Sequence, residues 1–227
     1  MLCAVQAALV LMPRRTRERG RYGVLGLALP ALVLGTGVVV LRTLSSGPHA
    51  LALLGAIGTP VLAAAGRRRA PVAVALWLVA WLAGGLVADA AAVALSALAA
   101  VTIAELATVA ASRPWLAAGL VLLAAVDVVL VWGTPQIEPA TTALHQAAVP
   151  SAAGHPIPRL QDATFGEATM GWLDFVAPAL LGVVARARFR AAVATGLAAG
   201  AWGLLLSVTS TVPATVPALA GLLAGKL

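Results

Sequence analysis

Two aspartates stand inside runs that otherwise carry no charge: Asp127 in LVLLAAVDVVLVWG and Asp174 in MGWLDFVAPALLG. An acid at the centre of an apolar membrane segment costs about 2.5–3.5 kcal/mol on insertion scales, so each needs a partner or a task. Two carboxyls in contact cannot both ionise cheaply and hold one proton between them. Such a pair suits amide hydrolysis. The ionised member takes a proton from water while the protonated member polarises the carbonyl, with no metal, cofactor or covalent intermediate. The same acids would also serve as a proton relay in a transporter, or as separate plugs for polar gaps.

The elements that carry these acids follow from composition. The chain has 227 residues, 61% hydrophobic and only 10% charged, against about 25% charged in a soluble domain. Apolar runs near the length of a bilayer crossing recur throughout. The sequence therefore reads as one all-α polytopic membrane domain, 1–227, with no length left for a separate soluble domain. Nine apolar segments lie near 1–12, 23–42, 50–66, 70–88, 90–111, 115–133, 170–185, 191–208 and 212–225. The first is short for a span and has no basic residues before it, so it does not read as a secretory signal peptide.

Charge placement supports this count. The net charge of +7 comes from short basic clusters between apolar runs, which is the pattern of topology signals and not of a nucleic-acid surface. With nine spans, Arg14, Arg15, Arg17, Arg19, Arg21, Arg67, Arg68, Arg69, Arg113, Arg186, Arg188, Arg190 and Lys226 fall on one side, and only Arg42 and Arg159 on the other. The positive-inside rule then puts the N-terminus outside and the C-terminus in the cytoplasm. Fourteen Arg against one Lys, with abundant Ala, fits a GC-rich bacterial genome and so a bacterial inner membrane. The Pro-rich stretch 134–169 becomes an outer loop, expected to be irregular, with Ala163 to Thr169 as a helical lead-in to the seventh span. Spans six and seven run antiparallel, and both aspartates come to lie roughly 6–9 Å below the outer boundary.

The residues around this pair resemble the presenilin and signal peptide peptidase family of intramembrane aspartyl proteases. Asp127 in the sixth span, with its exit at Gly133-Thr134-Pro135, looks like the family's first catalytic aspartate. Gly171-Trp172-Leu173-Asp174 resembles the Gly-x-Gly-Asp motif of the seventh span, and Thr215-Val216-Pro217-Ala218-Leu219 the Pro-Ala-Leu motif of the ninth. Pro-Ala-Leu also occurs at Pro30-Ala31-Leu32 and Pro178-Ala179-Leu180; the order of three features in spans six, seven and nine carries the likeness. It covers about 115–225, while spans one to five (1–114) match only as a set of spans. Val126 stands where the family has tyrosine, and Leu173 where it has the second glycine.

The resemblance implies a presenilin-like fold, catalytic Asp127 and Asp174, and substrate contacts from Gly171, Leu173, Pro217, Ala218 and Leu219. Its partners would be transmembrane segments of other proteins within the bilayer. The orientation matches the signal peptide peptidase branch, whose substrates are signal-peptide remnants and type II anchors. A helix shields its peptide bonds, so a substrate must open before it is cut. Pro213 and Pro217 would break the start of span nine and leave backbone groups to pair with it. The competing readings are a catalytically silent homologue that binds membrane helices, a proton-coupled transporter, and a prepilin-type peptidase, whose acids would lie near the cytoplasmic face.

Other polar residues read as structural. Glu105 lies too near the cytoplasmic end to join the pair and would snorkel or bond a hydroxyl. His145 and His155 lack the spacing of a metal site, and one cysteine, Cys3, makes no disulfide framework. The tryptophans read as packing or interface anchors, and Gly84, Gly85, Gly196, Gly200 and Gly203 as close-packing points between helices.

Overall fold

The computed structural model describes residues 2–13, 47–65, 69–133, 137–147, 162–165, 168–205 and 212–225. The second apolar segment, 23–42, and the whole of the first basic cluster lie outside them. The described elements are α1 (Leu2–Leu11), α2 (Gly47–Ala64), α3 (Ala70–Leu82), α4 (Gly85–Ala110), α5 (Arg113–Gly133), α6 (Ile137–Gln146), β1 (Asp162–Phe165), β2 (Ala168–Gly171), α7 (Trp172–Val184), α8 (Arg188–Leu205) and α9 (Val216–Gly225). The chain is overwhelmingly helical, as its composition requires.

Membrane character shows in length and in surface. Helices α2, α4 and α5 are long and apolar enough to cross a bilayer; α3, α7 and α9 are apolar but shorter. Nine full-length crossings are therefore not what the described helices present. Leu54, Ile57 and Val61 on α2, Leu86 and Val87 on α4, Val129 on α5, Leu197 and Leu204 on α8, and Leu223 on α9 all point outward. In water such a surface would aggregate; against lipid it costs nothing.

Helix α7 is the axis of the bundle. Every residue in it except Trp172 and Asp174 is buried, as a helix that is hydrophobic all round must be. Around it pack α1, α4, α5, α8 and α9. At thirteen residues it is about 20 Å long, short of a bilayer core. Pro178 lies inside it and removes the helical hydrogen bond that would close on the Asp174 carbonyl.

The expected irregular loop is partly ordered. Residues 137–146 form α6, and β1 pairs antiparallel with β2 in the register Asp162↔Gly171, Ala163↔Met170, Thr164↔Thr169 and Phe165↔Ala168. The lead-in to α7 is thus a strand and not a helix. Thr164, Phe165 and Thr169 favour extended backbone, and this outweighs continuation of the helix. Boundaries shift elsewhere too. The fourth and fifth segments meet at Ala83 and Gly84, followed by Gly85 at φ 63°; glycine takes that left-handed conformation without steric cost.

Helix ends that share the basic side of the charge count meet in space. The Arg188 guanidinium at the start of α8 donates to the Pro13 carbonyl just past α1 (2.7 Å). The Ala187 N–H donates to the Gly225 carbonyl at the end of α9 (3.3 Å). Arg69, before α3, pairs with Glu105 near the end of α4 (2.7 Å). Glu105 therefore has a cation where a hydroxyl or snorkelling was expected. Truncating one member removes this ion pair from a weakly solvated place. Arg69→Met is expected to lower the melting temperature in detergent, and Arg69→Met with Glu105→Met to recover part of the loss; a double variant worse than the single would contradict it.

Close packing bears out Gly196 among the expected glycines and adds Gly182 and Gly221. A Cβ on Gly182 would strike the Val10 carbonyl, and one on Gly221 would strike Thr195 Oγ1 and the Ala191 carbonyl. Gly196 lies against Ala7, whereas Gly85, Gly200 and Gly203 have nothing within 4 Å among the described residues. Composition alone cannot tell a glycine facing a neighbouring helix from one facing lipid.

Candidate functional site

The site forms where α5 nears its end and where α7 and α9 begin. Asp127 sits six residues before the end of α5 and is 5% exposed. One carboxylate oxygen, Oδ2, accepts hydrogen bonds from both the backbone N–H (3.1 Å) and the hydroxyl (2.8 Å) of Thr215. Asp174 lies in the first turn of α7. Its Oδ2 accepts from the Gly171 N–H (3.0 Å) and its Oδ1 from the Gln6 side-chain amide (3.2 Å). The two carboxyls lie within electrostatic range of each other.

Local sequence explains each placement. Gly171 ends β2 in extended backbone and caps α7, so the third residue of the helix faces back to the cap N–H. An acid there forms half of a capping box and meets the positive end of the helix dipole. Capping accounts for the bond from Gly171, but not for the bond from Gln6 or for the proximity of Asp127. Asp127 is in mid-helix, and its partner comes from the start of α9. Residues 212–215 are not helical. Pro217 falls in the first turn of α9, where a missing N–H costs no helical bond. The Pro213 carbonyl accepts from the Trp202 indole (2.8 Å), and Trp202 packs on Trp132 with ring centroids 5.8 Å apart. That chain of contacts ties the ends of α5 and α8 to the lead-in of α9.

The other expected site residues divide. Leu173 is buried in an apolar cluster with Leu123, packed by Val126, Leu130, Trp172 and Ala214. The two positions that depart from the family pattern, Val126 and Leu173, thus meet beside the acids, where a bulky leucine opposes a small valine. Gly171 and Trp172 are half-exposed. Pro217 and Ala218 are buried in the bundle, and Leu219 packs against its core. The Pro-Ala-Leu segment therefore reaches the acids through Thr215 rather than through those three side chains.

Thr215 and Gln6 were not anticipated from the sequence as site residues. Both carried a readable signal. Gln6 is the one polar side chain inside CAVQAALV, and Thr215 directly precedes the Val216–Leu219 stretch. Thr215→Val keeps the shape and removes the hydroxyl bond to Asp127. It is expected to cost about 1–3 kcal/mol of unfolding free energy in detergent, with Thr215→Ser close to wild type. Equal stability of Val, Ser and wild type would show that the hydroxyl bond contributes nothing.

No family model, curated protein or solved structure matches the chain.

Proposed function

We propose that the protein is an intramembrane aspartyl protease, resembling signal peptide peptidase, that hydrolyses peptide bonds in transmembrane helices. One observation carries the reading: two carboxyls from different helices, Asp127 and Asp174, lie within electrostatic range. Each is oriented by donors from a further element, Thr215 and Gln6. Acids that merely plugged separate polar gaps would have no reason to converge.

The chemistry balances on these two groups. The ionised aspartate takes a proton from water as the water oxygen bonds to the scissile carbon, and the protonated aspartate gives its proton to the carbonyl oxygen. The gem-diol then returns a proton to the second aspartate. The first protonates the amide nitrogen, the C–N bond breaks, and the dyad is restored. The β1–β2 hairpin, two strands with no further strand among the described residues, runs directly into Gly171 and Asp174. Its unpaired backbone edge supports binding of an opened substrate by strand addition.

Within this reading the chain is a nine-span protein of the bacterial inner membrane with its N-terminus outside. Short helices such as α7 complete their crossing through extended residues. The substrates are signal-peptide remnants and type II anchors. Wild-type protein in liposomes is expected to cleave at least one peptide from a panel of transmembrane segments of both orientations. If no peptide is cut, or if cutting survives loss of both aspartates, the proposal fails.

A further inference from the structure

Helix α1 is short, yet it is built into the bundle. Leu9 and Val10 are fully buried, α1 packs on α7 and α8, and the missing side chains of Gly182 and Gly196 let its backbone approach them. Gln6 projects from this helix and is 1% exposed. Its Nε2 donates to Asp174 Oδ1 at 3.2 Å. Its carbonyl Oε1 is buried and accepts no hydrogen bond among the described residues. A side chain kept only for packing would be Leu or Met, which leaves no buried acceptor unpaired. An amide differs from either in one respect: it carries a donor and an acceptor on one planar group, exchanged by a half-turn about its last torsion.

From this placement we infer that Gln6 is the positioning residue of Asp174, a two-way hydrogen-bond partner for both of its protonation states. When Asp174 is ionised, the NH2 end donates to it, as the structure has it. When Asp174 carries a proton, the acid becomes a donor, and the amide turns so that Oε1 accepts. The hydrolytic cycle passes the dyad's proton through both states, and the neighbour of each acid must tolerate both. A leucine would pair with neither. A lysine could only donate, and an ionised glutamate only accept. Gly171 holds the other oxygen, Oδ2, through a backbone N–H that only donates, so the adaptable contact is on Oδ1. The first helix thereby belongs to the catalytic apparatus although it lies 168 residues from the acid it serves. This assignment rests on the protease reading for its use, while the contact itself is independent of that reading.

The test uses the full-length protein in liposomes. Gln6→Met preserves shape and removes both hydrogen-bonding functions; Gln6→Glu preserves shape and acceptance but cannot donate while ionised. Both are expected to lower kcat for a cleaved transmembrane peptide by about 10- to 100-fold. KM should stay within about twofold, as expected for a group that does not touch substrate. The melting temperature of Gln6→Met should stay within a few degrees of wild type, since removal of an unpaired buried acceptor offsets loss of the bond to Asp174. A second readout needs no substrate: the infrared band of the Asp174 carboxyl, identified by its loss in Asp174→Asn, should change frequency in Gln6→Met. Wild-type kcat in both variants, or a rise in KM at unchanged kcat, would overturn the inference. An unchanged band in Gln6→Met alongside normal wild-type cleavage would do the same. A shifted band in a protein that cuts no peptide would keep the Gln6 contact and remove the protease reading.

Discussion

Asp127→Asn and Asp174→Asn are each expected to lower cleavage of a transmembrane peptide by about 10²- to 10⁴-fold, the range for loss of a positioned general acid or base. The double variant should be little worse than either single one, because in the proposed cycle the two acids act as a unit and removal of one stops it. Asparagine matches aspartate in size and still offers one carbonyl oxygen. At position 127 that oxygen can accept the N–H and hydroxyl of Thr215, as Oδ2 does now. At position 174 it can accept from Gly171. The fold should therefore persist, with a melting temperature near that of wild type, and the loss should appear in kcat rather than in yield. A proton-coupled transporter predicts a different outcome, with no peptide cut by any form and a proton flux lost in both variants. If one asparagine variant cleaves at the wild-type rate, the dyad is not the catalytic unit.

The second large effect concerns the fit of α1 against α7. A side chain at Gly182 would meet the Val10 carbonyl and lie 3.0 Å from the Pro13 ring. Both obstacles are backbone or ring atoms that cannot rotate away, so Gly182→Val must push the helices apart. Overpacking of this kind costs about 1–3 kcal/mol, and more where backbone has to shift. The shift would also carry Gln6 away from Asp174, so stability and kcat should fall together. Gly200→Val serves as the control: it lies on a helix with nothing among the described residues within 4 Å of its missing Cβ. It is expected to change stability by no more than about 0.5 kcal/mol. Thermal unfolding in detergent distinguishes the two. Equal behaviour of Gly182→Val and Gly200→Val would mean that α1 does not dock as described.

Taken together, Gln6, Thr215 and Gly171 hold the acids with donors from three separate places in the chain. The proposed hydrolysis would need its acid and base fixed before substrate arrives, and fixation by distant elements makes the site depend on the whole bundle. The same dependence gives α1 a role that its ten residues would not suggest.

Much of this was readable in the amino-acid sequence, for reasons of energetics. Charge is so expensive in an apolar run that Asp127, Asp174 and Glu105 announce themselves as residues needing partners. Hydrophobic composition dictates helices, because only helices satisfy their own backbone inside a membrane. The basic clusters led to an expectation of which helix ends share a side, and the Arg188–Pro13 and Ala187–Gly225 contacts join ends that this expectation groups together. Partner identity was not readable, because it depends on side chains far apart in the chain. Glu105 pairs with Arg69 across 36 residues, Asp127 with Thr215 across 88, and Asp174 with Gln6 across 168. Local pattern also misjudged 163–165 and 168–169, where pairing of these two strands with each other overrides helical continuation. It singled out Gly200 and Gly203, whose spacing matches that of packing glycines but whose faces meet no neighbour among the described residues. Sequence alone thus determined that this is a helical membrane protein with two acids that had to be satisfied. Tertiary structure decided that they come within electrostatic range, and which donors hold them, because helix packing sets which faces meet and spacing along one helix does not.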